Sequence, residues 1–365
     1  MAVRDIDPAD ARALTRFVRM ERELLGSEPL YWSDTESDVR KRLSGRSAFS
    51  KGTELRLFTA DGSARCAAIV NRRWQAEREP DTAFIGYFAA APGAELGVVE
   101  MLAAAEEWLA SMGARRVIAP VNGSGMLGMG VLTDAFDESP MFPLPWNPSY
   151  YPAHLEAAGY AKAYPLYVYE VDLRSPEYAR TARSGVDDAQ CDVRQIDKRR
   201  WREELDLYRR LFNAGFRDEW EMHEYERAEF EELYLPLKPV VDPRLILFAE
   251  LDGEPVGICS GFPDWTPLFR SFRGRFGPLQ AIRFLHGARR IERAGLVTIA
   301  LAPGHRGRRV GRTLAAHLFR TFEELGLDRP PYYLVNEVNS ASRGLAKSFG
   351  AEERLLYHCY DKRLD

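Results

Sequence analysis

The sequence predicts a mixed α/β protein made of two tandem copies of one domain, each a twisted mixed sheet with helices on both faces. Three observations predict this. Short segments recur in order about 190 residues apart: Val3-Arg4-Asp5-Ile6-Asp7 as Val193-Arg194-Gln195-Ile196-Asp197, and Leu55-Arg56-Leu57-Phe58 as Leu245-Ile246-Leu247-Phe248. Ordered matches at near-constant spacing mark an internal duplication. Strand-like apolar runs alternate with segments of helical period in both copies. Asp61-Gly62 and Asp252-Gly253 each lie between two such runs, which is hairpin-turn chemistry.

Each copy follows the same order. A short strand leads into one or two helices, within 8–25 and 198–235. A hairpin and a longer strand follow. Ala91-Pro92-Gly93 and Ala302-Pro303-Gly304 then open a loop, an amphipathic helix and a glycine, Gly113 or Gly326. A further strand, a short helix and a final strand, Leu166–Val171 or Leu355–Tyr360, complete the copy. The domains are therefore set at 1–173 and 191–365. Residues 174–190 carry Pro176, Gly185 and polar residues without apolar periodicity, and are expected to be a linker.

The chain has 365 residues, room for two ordinary domains. It is 45% hydrophobic and 28% charged, as globular proteins are. A net charge of −4 gives no support to nucleic-acid binding. Cys66, Cys191, Cys259 and Cys359 are too scattered for metal-ligand or redox spacing, so no metal is expected and the thiols are expected to be buried and reduced. The start, Met-Ala-Val-Arg-Asp-Ile-Asp, has no signal-peptide apolar core, and no stretch is long and apolar enough to span a bilayer. A cytoplasmic protein without a membrane partner is the expectation; a homodimer stays open.

The chemistry concentrates in the second copy. The apolar run Leu296–Leu301 reads as a buried strand. It feeds Ala302-Pro303-Gly304-His305-Arg306-Gly307-Arg308-Arg309, after which a helix opens at Val310. Val310, Leu314, Leu318, Phe319, Phe322 and Leu325 make its apolar face. The first turn of such a helix has unpartnered N–H groups and a positive dipole end, a natural seat for phosphate. Arg306, Arg308, Arg309 and Arg312 add charge there.

Arg306-Gly307-Arg308-Arg309-Val310-Gly311 resembles the Arg/Gln-x-x-Gly-x-Gly/Ala motif of the GNAT acyltransferases. The resemblance implies the α+β GNAT fold. It also implies an acetyl-CoA or other acyl-CoA co-substrate, held by Ala300, Leu301, Ala302, Arg306, Gly307, Arg308, Arg309, Val310, Gly311, Arg312 and Asn339. The motif's fourth position, usually glycine, is Arg309, which restricts the backbone if a positive φ is needed. In the first copy the equivalent loop has no arginine and places Glu95 at the phosphate position, so that copy is not expected to bind coenzyme A. It carries instead an insert, Gly123–Trp146, rich in glycine, methionine and proline.

Val335-Asn336-Glu337-Val338-Asn339 is similar to the second GNAT motif, where two central strands splay and expose amides to pantetheine and thioester. The family likeness implies direct attack of a small-molecule amine on the thioester. Glu337 is the first candidate for the base and Asn336 is placed beside it. The family's usual tyrosine acid is replaced by Ala346, which leaves Tyr357 or water to protonate the thiolate. Trp220, His223, Asp264 and Trp265 are candidate acceptor-binding residues; Trp220 and His223 are equally readable as lid packing, whereas a solvated carboxylate is the commoner role for Asp264 and helix packing for the segment of Trp265. Asp264–Arg293 interleaves arginines with aromatics, the composition of a basic amphipathic helix. Two other classes remain: an aminoacyl-tRNA-dependent transferase using that segment for RNA, and a non-catalytic acyl-CoA sensor.

Overall fold

The computed structural model describes residues 2–187, 191–305 and 309–364. The first half runs β1 (Val3–Ile6), α1 (Ala11–Leu25), α2 (Glu36–Leu43), β2 (Thr53–Ala60), β3 (Ala64–Asn71), α3 (Arg72–Glu77), β4 (Thr82–Ala90), α4 (Glu95–Ser111), β5 (Arg116–Ala119), β6 (Val131–Leu132), α5 (Tyr151–Ala157) and β7 (Ala161–Glu170). After α6 (Pro176–Asp187) the second half runs β8 (Asp192–Gln195), α7 (Trp201–Gly215), α8 (Arg227–Tyr234), β9 (Ile246–Leu251), β10 (Glu254–Pro263), α9 (Thr266–Phe272), α10 (Pro278–Gly287), β11 (Ala294–Leu301), α11 (Val310–Glu324), β12 (Pro331–Asn336), α12 (Ser340–Ser348) and β13 (Glu352–Arg363).

The duplication is written into the sheet. β1 to β5 and β8 to β12 are two equivalent series, antiparallel except for the parallel pairs β4/β5 and β11/β12. Both hairpin turns have two successive left-handed residues, Asp61 and Gly62 (φ 40° and 76°) and Asp252 and Gly253 (52° and 81°), the twist that suits antiparallel strands.

The halves do not keep their last strands. β13 lies antiparallel against β5 of the first half, and β7 against β12 of the second. β7 and β13 pair with each other in between. The two sheets thus merge into one, ordered β1-β2-β3-β4-β5-β13-β7-β12-β11-β10-β9-β8. Each exchanged strand also delivers aromatics to the other half's core. Tyr357 and Tyr360 pack among first-half residues, and Tyr169 among second-half residues.

The expected linker is structured. Pro176–Asp187 is helical, and Tyr178 and Ala182 are buried against α11. The apolar period exists but is carried by Tyr178, Ala182 and Val186, small or amphipathic residues that mask it. Gly185 serves close helix packing: a Cβ there would lie 2.8 Å from that of Ala316. Residues 188–190 lie outside the described part. Cys66, Cys259 and Cys359 are buried as expected, whereas Cys191 is half-buried.

Candidate active site

The site is a gap in the sheet. β11 is paired with β10 along its length, from Ala294 opposite Pro263 to Leu301 opposite Gly257. Against β12 it is paired only at Leu296 opposite Tyr332. The two parallel strands therefore diverge toward Leu301 and Asn336. Ala302 donates its N–H to Val256 O at 2.8 Å. Strand alternation then turns Ala300 to β10 as well, and aims the amides of Ile299 and Leu301 into the gap. Ile299 and Leu301, the neighbours of Ala300, are thus the strand residues whose amides face the gap. Gly215 lets the end of α7 lie on this strand, since a Cβ there would be 2.6 Å from that of Ala300. The segment after α7 is thereby laid over the gap.

α11 starts where β11 ends. Arg309 is its N-cap, in the left-handed region at φ 56°, and among the described residues no side chain caps the helix. The position where the motif has glycine does take the conformation glycine favours, and an arginine holds it. Arg309 O accepts from Thr313 N–H at 3.0 Å, so the amides of Val310, Gly311 and Arg312 form the open first turn. Arg306, Gly307 and Arg308 lie outside the described residues.

At the other lip, β12 ends on an asparagine held by an acid. Asn336 Nδ2 donates to Glu221 Oε2 at 3.4 Å, and Asn339 Nδ2 to Glu219 Oε1 at 2.6 Å. Asn339 also caps α12 by accepting Ser342 N–H at 2.9 Å. Glu221 is 7% exposed. Burial, then the neighbouring Glu219 charge, push its carboxyl up to about 7, against the pull of its own amide, Asn336 and Arg78. A carboxyl poised there is a fit general base at neutral pH. The sequence reading missed Glu221. The signal was weak: one glutamate in a segment read for its aromatics, whose burial depends on the first-half insert. That insert packs here, with Ser124 Oγ 2.8 Å from Tyr225 Oη.

The remaining candidates are dispersed. Glu337 is exposed; its carboxylate is 3.4 Å from Tyr167 Oη and its carbonyl accepts from Arg343. Tyr357 is enclosed in the first-half core and donates to Pro145 O at 3.0 Å, which takes it out of the leaving-group role. Trp220 adjoins Glu221 and stacks on Tyr164 with ring centres 4.1 Å apart. His223 is buried, 3.9 Å from Glu229, which also pairs with Arg73 of the first half. Asp264 accepts Thr266 N–H at 2.9 Å and faces Arg293 at 3.6 Å. Trp265 donates to Ala288 O at 3.2 Å within an aromatic cluster. Both follow β10 beside the start of β11, roughly 20 Å along the strand from Leu301. The structure does not bring Asp264 and Trp265 to the gap; they anchor α9 and α10.

The first half has closed its own gap. β4 and β5 pair from Thr82/Arg116 to Phe84/Ile118. Val121 N–H then donates to Ile85 O at 2.8 Å, and Asn122 Oδ1 accepts Tyr87 N–H at 2.7 Å. At the start of α4, Glu95 is held ionised chiefly by its own amide, with His154 at 3.4 Å. A carboxylate thus sits where the second half offers bare amides.

Residues 205–351 match the acetyltransferase (GNAT) family model. The second half is thus similar to the GNAT family. A bacterial ceramide synthase from Caulobacter vibrioides is 28% identical over 270 residues, covering 72% of this chain and 70% of that protein. Protein YghO of Escherichia coli K12 is 24% identical over 275 residues, with the same coverage. Among solved structures, a tandem GNAT protein from the clavulanic acid biosynthesis pathway superposes with a TM-score of 0.54. At 14% identity over 99% of this chain and 98% of that one, this GNAT match shows a shared fold across both halves.

Proposed function

We propose that this protein is a GNAT-type N-acyltransferase that moves an acyl group from acyl-CoA to an amine by direct attack. The pairing of buried Glu221 with Asn336 at the open end of the strand gap carries the reading. Pyrophosphate would sit on the first-turn amides of α11 with Gly311 and Arg312. Pantetheine would run into the gap along Ile299 and Leu301, whose N–H groups would also meet the developing oxyanion. Glu221 takes a proton from the acceptor's ammonium, which frees the neutral amine to attack, or from the nitrogen of the tetrahedral adduct. The C–N bond forms, the C–S bond breaks, and coenzyme A leaves as a thiolate that water protonates. The first half supplies no donor site; its insert walls off Glu221.

The acceptor is an amine, and the likeness to a ceramide synthase favours a long-chain amino alcohol over a small polar amine. The test is release of coenzyme A thiol from a panel of acyl-CoAs, with sphinganine, a polyamine and an amino sugar as acceptors. Acyl-dependent thiol release with an amide product is expected, sphinganine serving best. Coenzyme A binding without turnover on any amine would instead make the chain a sensor.

A further inference from the structure

α10 shows its apolar face to solvent. Among the described residues the large hydrophobics most exposed are Leu96, Val338 and four within one ten-residue stretch: Phe276 at 41%, Leu279 at 64%, Ile282 at 56% and Leu285 at 42%. No residue of α10 is buried. Its inward side is Phe284, 5.1 Å from the Trp265 ring, and Gly287, whose added Cβ would be 2.7 Å from Leu268. Helical spacing puts Leu279, Ile282 and His286 on the opposite, outward side. Single exposed leucines are ordinary; a contiguous face on one helix marks an interaction surface.

The surroundings are basic. Arg273, Arg275, Arg283, Arg289 and Arg290 flank the helix and are exposed. Among the described residues no carboxylate pairs with Arg273, Arg275, Arg283 or Arg290, although most arginines elsewhere in the chain have one. Beside the helix opens a cleft of about 450 Å³ lined by Arg22, Ser271, Arg273, Arg275 and Gln280. Arg22 is neutralised by Glu36 at 2.5 Å, which leaves Arg273 and Arg275 as its open charges. The segment is also fastened down: Gly274 O accepts Glu36 N–H at 2.7 Å, and Arg22 reaches Arg273 O at 3.4 Å.

We propose that α10 and the adjoining arginine cleft dock the protein on the surface of an anionic phospholipid bilayer. The apolar face of α10 enters the headgroup–acyl boundary while the unpaired arginines meet lipid phosphates, the cleft taking one headgroup. An apolar face flanked by arginines that no carboxylate neutralises among the described residues suits that surface, which offers phosphates beside an apolar interior. The chain lies on the membrane and does not span it; among the described residues no helix is long and apolar enough to cross one. The proposal rests on this surface alone: vesicle binding without transferase activity leaves it standing, and activity without vesicle binding ends it.

The full chain is sedimented with vesicles of phosphatidylcholine, with or without phosphatidylglycerol. Binding to the anionic vesicles is expected, with at least a tenfold loss of apparent affinity in Leu279→Ser/Ile282→Ser and in Arg275→Gln/Arg283→Gln. Binding should also weaken as salt rises from about 50 to about 500 mM, because the charged part is screened. Thermal unfolding of both double variants should match the parent, since all four side chains are exposed. No sedimentation with anionic vesicles, or equal sedimentation by the variants, overturns the proposal. So does self-association in analytical ultracentrifugation that Leu279→Ser/Ile282→Ser abolishes while vesicle binding is absent, which would make the face a protein interface.

Discussion

Replacing Glu221 by Gln should make the protein more stable and far less active. Glu221 has a folded-state pKa of about 7 against an ordinary 4.5. Because the folded pKa is raised, folding favours the neutral form: the stability it allows is whole below pH 4.5 and is lost as pH rises through 7. From the two pKa values the loss is about 1 kcal/mol at pH 5 and about 3 kcal/mol at pH 8. Gln cannot ionise, so its advantage over the parent should grow by about 2 kcal/mol between those pH values. For 365 residues the unfolding entropy is roughly 0.8 kcal/mol per kelvin, which makes this about 3 °C in Tm. Activity should move the other way. The parent kcat/KM should fall tenfold per unit below about pH 7 as the base protonates. The variant should lose on the order of 10²-fold or more at pH 8 and lose that acidic limb. Calorimetry at the two pH values and thiol-release kinetics across the range read both. A Tm difference independent of pH, or a variant with full kcat/KM, would refute the poised-base argument.

Gly311→Asp should weaken coenzyme A binding about tenfold in calorimetry by placing a carboxylate at the helix N-terminus. Gly311→Ala is the packing control: its Cβ would meet Leu301 at an ordinary 3.6 Å, so an equal loss in both variants would point to packing and away from charge. Glu337→Gln should keep turnover within about threefold of the parent, since the carboxylate is exposed and hydrogen-bonds Tyr167 outside the gap; a loss of the size expected for Glu221→Gln would return the base role to Glu337. Arg309→Gly should leave stability unchanged or raise it by up to about 1 kcal/mol, because φ 56° strains a side-chain-bearing residue; a clear drop in denaturant midpoint would show that the arginine's contacts outweigh the strain.

The sequence disclosed the repeat, the hairpins and the start of α11 after β11 because each depends on local chemistry: matched segments, Asp-Gly turns, an apolar strand running through a glycine-bearing loop into an amphipathic helix. It did not disclose the exchange of β7 and β13. Those strands have the same pattern whichever β5 or β12 they lie beside, so their pairing is a long-range choice. α6 was hidden because its buried face is Tyr178, Ala182 and Val186, with Gly185 in a packing role. In the site, Asn336 and Asn339 were legible from their spacing. Glu221 was not, since its pKa comes from burial beneath an insert some 90 residues upstream. Asp264 and Trp265 misled for the opposite reason. A carboxylate and an indole after a hairpin resemble a binding loop, but here they cap and anchor α9 and α10 at the wrong end of β11.

The most direct measurement is a crystal structure of the protein soaked with a non-hydrolysable acyl-CoA analogue. The diphosphate should lie on the amides of Val310 to Arg312. The pantetheine should enter between β11 and β12, and the acyl carbonyl should stop near Leu301 with Glu221 facing it. A nucleotide bound elsewhere, or a gap that stays closed to pantetheine, would contradict the acyl-transfer reading at its root.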